Sequence, residues 1–383
     1  LYFSIIFFFH LSIKKSNLES LSEEKKLLQI QSQKLRQRQN DIKTAVYRGK
    51  TEKIVQELRE LSYISPPVYK DVQRDALKKI IHDEMQKENP PEKIRNIKRV
   101  LAAFGYLKND FDLYNAINKL YQEQIAGFYD PDKKTLFSIK DLPLSGNLQR
   151  AILAHELTHV LQDQHYDLKE HFDNKSKSDD EKIALQSIVE GDATFITQLF
   201  YIKTLNFSVI ADLFSFFTLD QKQFNQTPMV IKENLLFPYL KGMEFVTYLH
   251  RKGGWEQINK AFEYPPKSSE QIIHPEKFID NEMPVDIKLP SIDKEMKDWN
   301  TVEINVIGEF NIFILVKKFL NQPKAKIASE GWGGDKYMYL ENKSRDGYIL
   351  IWSTRWDTEK DAEQFEETYK KLLVKNILLL KKT

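Results

Sequence analysis

The stretch His155-Glu156-Leu157-Thr158-His159 has the residue types and the spacing of a metal-dependent hydrolytic site. In an α-helix each residue turns the side-chain direction by ~100°, so the two imidazoles project from one face, about 40° apart. Two imidazoles one helical turn apart can share a zinc ion, and the intervening glutamate can take a proton from the water that zinc binds. The pattern predicts His155 and His159 as zinc ligands and Glu156 as the general base.

The residues around this motif favour a metal site over a purely structural helix. Residues 151–154 are apolar, and so are Val160 and Leu161. A helix that packs only for stability has little reason to place two histidines and a glutamate together on one side. Unpaired polar groups in such a place cost free energy.

A third ligand is needed, and His165 is the weaker of two candidates. It follows His159 by six residues, which is the spacing of the pattern HExxHxxGxxH. The glycine of that pattern lets the chain leave the helix, but Gln162 occupies its position here. If the helix continues, His165 points about 240° away from His159 around the helix axis.

Glu190 is the favoured third ligand. It lies within an apolar helical pattern at 185–196, and a carboxylate from a second, antiparallel helix would complete a site of two histidines and one glutamate with one position open. Gly191 is expected to allow the two helices to approach closely. Asp192 or Asp163 could accept a hydrogen bond from a ligand imidazole, although an ordinary structural role is favoured for both.

A peptidase also needs a donor that stabilises the oxyanion of the reaction. His274 and Tyr239 are candidates because each lies in an irregular or loop-bordered stretch after the motif. A structural or supporting role is favoured for His274, and Tyr239 is better explained as a core aromatic.

These motifs together resemble the gluzincin group of zinc metallopeptidases. The closer likeness is to a little-characterised bacterial and archaeal group of secreted or membrane-bound metallopeptidases, carried by GFYDP at 127–131, HELTHVLQDQH at 155–165 and VEGDA at 189–193. Further similar stretches are Pro238-Tyr239 with Gly242, Gly253-Gly254-Trp255, residues 269–277 and residues 331–335. The likeness covers roughly residues 120–370. It implies zinc held by His155, His159 and Glu190, Glu156 as the base, and a hairpin at 127–138 beside the cleft.

Composition excludes several other kinds of site. The 383 residues include no Cys, so disulfides, thiol catalysis and thiolate metal sites are excluded. Lys and Arg number 57 and Asp and Glu number 55, which gives a net charge of +2 and no global reason to expect nucleic acid as a partner. The expected partner is a peptide or protein substrate.

The N-terminal residues predict attachment to a membrane. Residues 1–13 are almost wholly apolar but too short to span a bilayer, so residues 1–15 are interpreted as a truncated signal or membrane anchor, with a short buried strand or helix as the alternative. Residues 16–62 are interpreted as a helical spacer with weak coiled-coil character, because Leu21, Leu28, Leu35 and Ile42 recur every seven residues. An ordinary packed helix is the alternative. The predicted location is extracytoplasmic, either membrane-anchored or secreted.

The remaining chain predicts an α+β fold: a mostly helical, zincin-like catalytic domain at 63–300 with a small edge hairpin, followed by a small α+β unit at 301–383. Helices are predicted around 69–87 and 91–107, from 148 through the motif, and from Ser178 past Glu190. The predicted function is that of a zinc-dependent peptidase. The alternative is a non-catalytic zinc-binding surface or scaffold protein that keeps the fold.

Overall fold

The described residues form a mostly helical α+β fold with two small three-stranded sheets, and this confirms the predicted fold class. The computed structural model describes residues 2–123, 127–139, 147–173, 177–204, 226–291, 297–344 and 347–380. By its internal contacts the chain divides into one unit of residues 1–53 and a second unit of residues 54–383.

Helix α1 (Tyr2–Arg59) forms the described part of the first unit, and its last residues, from Ile54, belong to the second unit. The four residues of the predicted heptad pattern, Leu21, Leu28, Leu35 and Ile42, are each about 60% exposed. The side chains of residues 2–20 lie outside the described part of the structure, so the predicted anchor at 1–15 and the spacer stay predictions. Among the described residues, no helix has both the length and the hydropathy to cross a membrane.

The first sheet confirms the predicted hairpin and adds a strand. Strands β2 (Gly127–Asp130) and β3 (Thr135–Ile139) are antiparallel, and β1 (Tyr69–Val72) pairs with β3 in parallel, so the strand order is β1-β3-β2. The helix predicted to begin near residue 69 begins later, as α2 (Arg74–Glu88). The prediction was wrong at 69–72 because this pairing joins residues far apart in sequence, and a local pattern does not show it.

Helices form most of the second unit. The helix predicted from Ser178 is α7 (Asp179–Thr204), and Ser178 caps it, since its Oγ accepts a hydrogen bond from the N–H of Glu181 at 3.1 Å. The helices that follow α2 are α3 (Pro91–Ala103), α4 (Leu113–Glu123), α5 (Asn147–Tyr166), α6 (Leu168–Asp173), α7 (Asp179–Thr204) and α8 (Met229–Glu263). Helix α5 carries the HExxH motif and α7 carries Glu190.

Two glycines let α7 and α8 touch backbone to backbone. A Cβ atom built on Gly191 would lie 2.2 Å from the carbonyl carbon of Gly242, and one built on Gly242 would lie 2.1 Å from the carbonyl oxygen of Ser187. Any side chain at either position would force the helices apart. Gly191 was expected to allow close approach to the motif helix, but it faces α8. This contact holds one side of α7 against α8, while the neighbouring Glu190 faces the HExxH motif on α5.

The C-terminal residues form an antiparallel sheet of β4 (Trp299–Asn305), β5 (Trp332–Asn342) and β6 (Tyr348–Trp356), in that order, with helices packed on it. One hydrophobic cluster includes side chains from Ile94 to Leu372, and Phe104 places its ring 5.3 Å from those of Tyr337 and Trp352. The elements are α9 (Ser269–Ile273), α10 (Pro275–Ile279), β4 (Trp299–Asn305), α11 (Gly308–Phe319), α12 (Gln322–Ser329), β5 (Trp332–Asn342), β6 (Tyr348–Trp356) and α13 (Glu359–Leu380).

A buried carboxyl group lies where α7, α9 and α11 meet. Asp180 is 2% exposed, and its Oδ2 accepts a hydrogen bond from the N–H of Ser269 at 3.0 Å. Its Oδ1 has no hydrogen-bond partner among the described residues. Burial, with the neighbouring Asp335 and Glu309 adding to it, raises the pKa of Asp180 to about 8. The folded protein therefore holds a proton here that the unfolded chain releases near pH 4.

Replacing Asp180 with Asn should make stability less dependent on pH. The pKa of Asp180 is higher in the folded state, so its contribution is complete below pH 4 and is lost as pH rises through about 8. Between pH 6 and pH 8 the wild type should lose about 1 kcal/mol or more of unfolding free energy relative to Asp180→Asn. Urea unfolding of both proteins at the two pH values measures this difference. Parallel losses in the two proteins would show that Asp180 is ionised at pH 6.

Candidate metal centre

Helices α5 and α7 bring three metal-ligating side chains together. The Nε2 atom of His155 lies 3.1 Å from Oε2 of Glu190, and the Nε2 atom of His159 lies 3.5 Å from the same oxygen. The three side chains are 12%, 12% and 15% exposed, so they are largely shielded from solvent. The residues that the sequence singled out as ligands therefore form one group in space.

The spacing of these donor atoms suits zinc. Ligand atoms 2.0–2.1 Å from a tetrahedral zinc ion lie about 3.3 Å from one another. The two distances to Glu190 Oε2 fall on either side of that value, and all three donor atoms lie within 4.8 Å of one another. Two imidazoles and one carboxylate are also the donor set of catalytic zinc sites, in which a fourth position stays open. The residues present fit the ion.

Electrostatics favour a positive charge at this position. Burial opposes charge on Glu190, but His159 and His155 outweigh it and lower the pKa of the Glu190 carboxyl. Burial likewise opposes charge on His159, but Glu190 outweighs it and raises the pKa of His159 to about 9. The carboxylate is therefore ionised and needs a cation next to it, which is either a proton on an imidazole or a bound metal ion.

Hydrogen bonds behind the imidazoles turn both Nε2 atoms toward Glu190. The amide nitrogen of Gln162 donates to the carbonyl of Val189 at 2.9 Å and to Asp192 at 3.0 Å. Its Oε1 must then accept a hydrogen bond, and it does so from Nδ1 of His159 at 2.8 Å. The Nδ1–H of His155 similarly faces Oγ1 of Thr197, at 3.5 Å. Protonated Nδ1 leaves Nε2 of each ring free to bind a metal.

The contacts of Gln162 continue to a buried ion pair. Asp192 accepts hydrogen bonds from Gln162 and, at 3.0 Å, from Nε of Arg59 at the end of α1. Gln162, Asp192 and Arg59 are all fully buried. Asp192 was considered as a direct partner of a ligand imidazole, with a structural role favoured, and it reaches His159 only through Gln162. The sequence identified Gln162 only as the residue in place of a glycine, so its role was missed.

Glu156 lies next to the ligands and is held by the edge of the first sheet. The backbone N–H of Tyr129 in β2 donates to Oε2 of Glu156 at 2.8 Å. Burial raises the pKa of the Glu156 carboxyl, against the attraction of His159 and His155. A carboxylate with a raised pKa is a stronger base than an exposed one, as a general base requires.

Asp163 has a different role from the one considered for it. It accepts a hydrogen bond from the hydroxyl of Tyr129 at 2.5 Å and pairs with Lys134 at 2.9 Å. Neither contact involves an imidazole. Asp163 therefore ties the hairpin of β2 and β3 to helix α5, and so supports the strand that holds Glu156.

The other candidate residues lie in different places. Tyr239 of α8 lines the cavity next to the metal centre, and its ring lies 6.0 Å from that of His155. His274 does not line this cavity, and its Nε2 contacts Glu309 at 3.1 Å. His165 contacts the carbonyl of Ser62 at 2.8 Å and stands outside the ligand group. The structure therefore places Tyr239, and not His274, beside the metal centre.

A second group of carboxylates, Glu270, Glu282 and Asp357, also lies close enough together to hold a metal. Lys277 already places its ammonium group 2.6, 2.7 and 2.6 Å from these three side chains. The lysine supplies the positive charge that the carboxylates require, so this group is explained as an ion-pair network.

Comparison with known proteins bears on the C-terminal part of the chain only. A family described as Domain of unknown function (DUF8575) matches residues 298–377, from the start of β4 into α13. No curated protein and no solved structure matches the chain. The matched range contains none of the residues of the metal centre, so the gluzincin likeness stays a prediction.

Replacing Gln162 with Ala should weaken zinc binding about ten- to hundredfold. The variant removes the acceptor that orients His159 and leaves Asp192 with one donor fewer, and losses of partners behind a ligand typically have this size. Competition with a chromophoric chelator measures the affinity.

Gln164→Ala is the matched control on the same helix. Gln164 is half-buried, but its described hydrogen bonds go to Ile64, at 2.7 Å, and to Ser65, so its loss should leave zinc affinity unchanged. Equal affinities of the wild type and Gln162→Ala, with both proteins folded by circular dichroism, would contradict the orienting role of Gln162.

Proposed function

We propose that the chain is a zinc-dependent peptidase, with His155, His159 and Glu190 as ligands and Glu156 as the general base. The observation that carries the proposal is the convergence of two Nε2 atoms and one carboxylate oxygen at zinc-ligand spacing. The adjacent Glu156 distinguishes this group from a purely structural metal site. A structural zinc site needs four protein ligands, whereas three leave a position open.

Zinc bound there would supply a Lewis acid that activates water and polarises the substrate carbonyl. The residues of the chain would do the rest. Glu156 would accept the proton of the attacking water and pass it to the leaving amine. Tyr129, through its backbone N–H, keeps the Glu156 carboxylate in place. Tyr239 would donate a hydrogen bond to the oxyanion.

The first sheet offers a place for an extended substrate. β2 pairs only with β3 in the described sheet, so its other edge faces the metal centre, where Tyr129 contacts Glu156. Peptides commonly bind such an edge as an additional strand through backbone hydrogen bonds. This supports a peptide or protein as the substrate. An extracytoplasmic location and an N-terminal membrane tether complete the proposal, and they rest on the sequence of residues 1–15 alone.

Replacing Glu156 with Gln should abolish peptide cleavage without loss of zinc. Loss of a general base typically lowers turnover about 10²–10⁴-fold. Gln keeps the size of the side chain, and Glu156 is not a ligand, so metal content should stay at that of the wild type. The measurement is mass-spectrometric detection of cleavage in a diverse peptide mixture by the full-length, zinc-loaded protein, alongside a sample treated with chelator.

Glu256→Gln is the matched control, since Glu256 is 79% exposed on α8 and should be dispensable. Full activity in Glu156→Gln would refute the role of Glu156 as base. A folded wild type that holds one zinc ion and cleaves no peptide would instead favour the non-catalytic zinc-binding protein.

A further inference from the structure

A cavity of about 820 Å³ lies against the metal centre. His155, Glu156, His159 and Glu190 form part of its wall, together with β2. Binding cavities for small ligands and cofactors typically range over about 300–1,000 Å³, so this one can take more than a single small side chain. A ligand in this cavity would therefore lie directly beside the proposed catalytic residues.

In contrast to the metal centre, another part of the cavity wall is apolar. Helices α2, α3, α4 and α8 contribute the aliphatic side chains of Ile81, Met85, Ile97, Leu101, Ile117 and Leu235. Most of these residues come from 81–117, which is outside the part of the chain that resembles zinc peptidases. Several are only partly buried, although the helices that carry them pack into the core. An apolar ligand would remove this surface from water.

Away from the metal centre, the charged side chains in the wall are all acidic. Carboxylates at Glu84, Glu88, Asp179 and Glu303 line the cavity, and none of its described lining residues is Lys or Arg. Lys133 pairs with Glu84 at 2.6 Å and Lys182 pairs with Asp179 at 3.2 Å, but neither lysine lines the cavity. In that part of the cavity, an acidic group on a ligand would meet like charge and lose its hydration without gaining a Lys or Arg partner from the described lining residues.

We propose that this cavity selects peptide substrates with a bulky aliphatic or aromatic side chain close to the scissile bond and rejects acidic side chains there. The inference rests on the proposed peptidase function and names its substrate class. A peptide fits better than a lipid because β2, with Phe128 and Tyr129, belongs to the same wall. A strand edge provides hydrogen bonds to a peptide backbone, and an acyl chain has no groups that could use them.

The size of the expected preference follows from the surface buried. Full burial of a Leu or Phe side chain, compared with Ala, corresponds to about a ten- to hundredfold gain in kcat/KM. Glu at the same position should give the lowest value of the series. The test uses peptides that differ at one position, with Leu, Phe, Ala, Lys or Glu placed in turn on each side of the cleaved bond, and the full-length zinc-loaded protein.

A lysine in the wall should change this ranking. Ile97→Lys places a cation among the apolar side chains of α3, so kcat/KM for the Leu and Phe peptides should fall at least tenfold while that for the Glu peptide rises relative to Ala. Ile327→Lys is the matched control, because Ile327 is 51% exposed on α12 and does not line the cavity. Zinc content and thermal unfolding verify that both variants are folded.

Binding provides a second readout, independent of turnover and of the Ile97 variant. Fluorescence anisotropy with zinc-loaded Glu156→Gln should rank the labelled peptides in the same order as kcat/KM. Cleavage of all peptides at similar rates would overturn the inference and leave the peptidase proposal intact. Binding in the predicted order by a wild type that cleaves none would overturn the peptidase proposal and support the ligand class. Absence of any preference in both measurements would refute the inference.

Discussion

The structure around the site depends on one buried carboxylate, that of Glu190, facing two imidazoles across 3.1 and 3.5 Å. A charge removed from water costs free energy unless opposite charge or hydrogen bonds compensate for it. Such a group persists only if the helices that carry it are held rigidly. The close contact between Gly191 and Gly242 holds α7 rigidly against α8, because the two backbones touch and neither position has room for a side chain.

Polar residues that contact the imidazoles, on the side away from Glu190, also hold the site rigid. Gln162 uses its amide oxygen for His159 and its amide nitrogen for Val189 and Asp192, and Asp192 receives Arg59. Gln162, Asp192 and Arg59 are fully buried, so removal of one of them leaves a polar partner without its hydrogen bond in a low-dielectric interior. The end of α1 thus takes part in orienting a metal ligand, although Arg59 is far from the motif in sequence.

Some of this could be predicted from sequence, because the information was local. The spacing of His155 and His159 fixes their common face on any helix, and an acidic residue in an apolar helical pattern indicated Glu190. The hairpin at 127–138 and the cap at Ser178 are equally local. The role of Gln162, the strand at 69–72, the partner of Gly191 and the cavity wall at 81–117 all depend on which elements lie next to one another. Local residue patterns do not contain that information.

Tyr129 connects the two properties that an enzyme at this site would need. Its backbone N–H holds Glu156, its hydroxyl holds Asp163 on α5, and the residue itself lines the cavity. A backbone donor does not change with the side chain, so the position of the base depends on the register of β2 with β3 more than on residue type. A ligand that binds along β2 would contact the strand that positions the base. Substrate selection and proton transfer would therefore share one structural element, and a shift of that strand would alter both together.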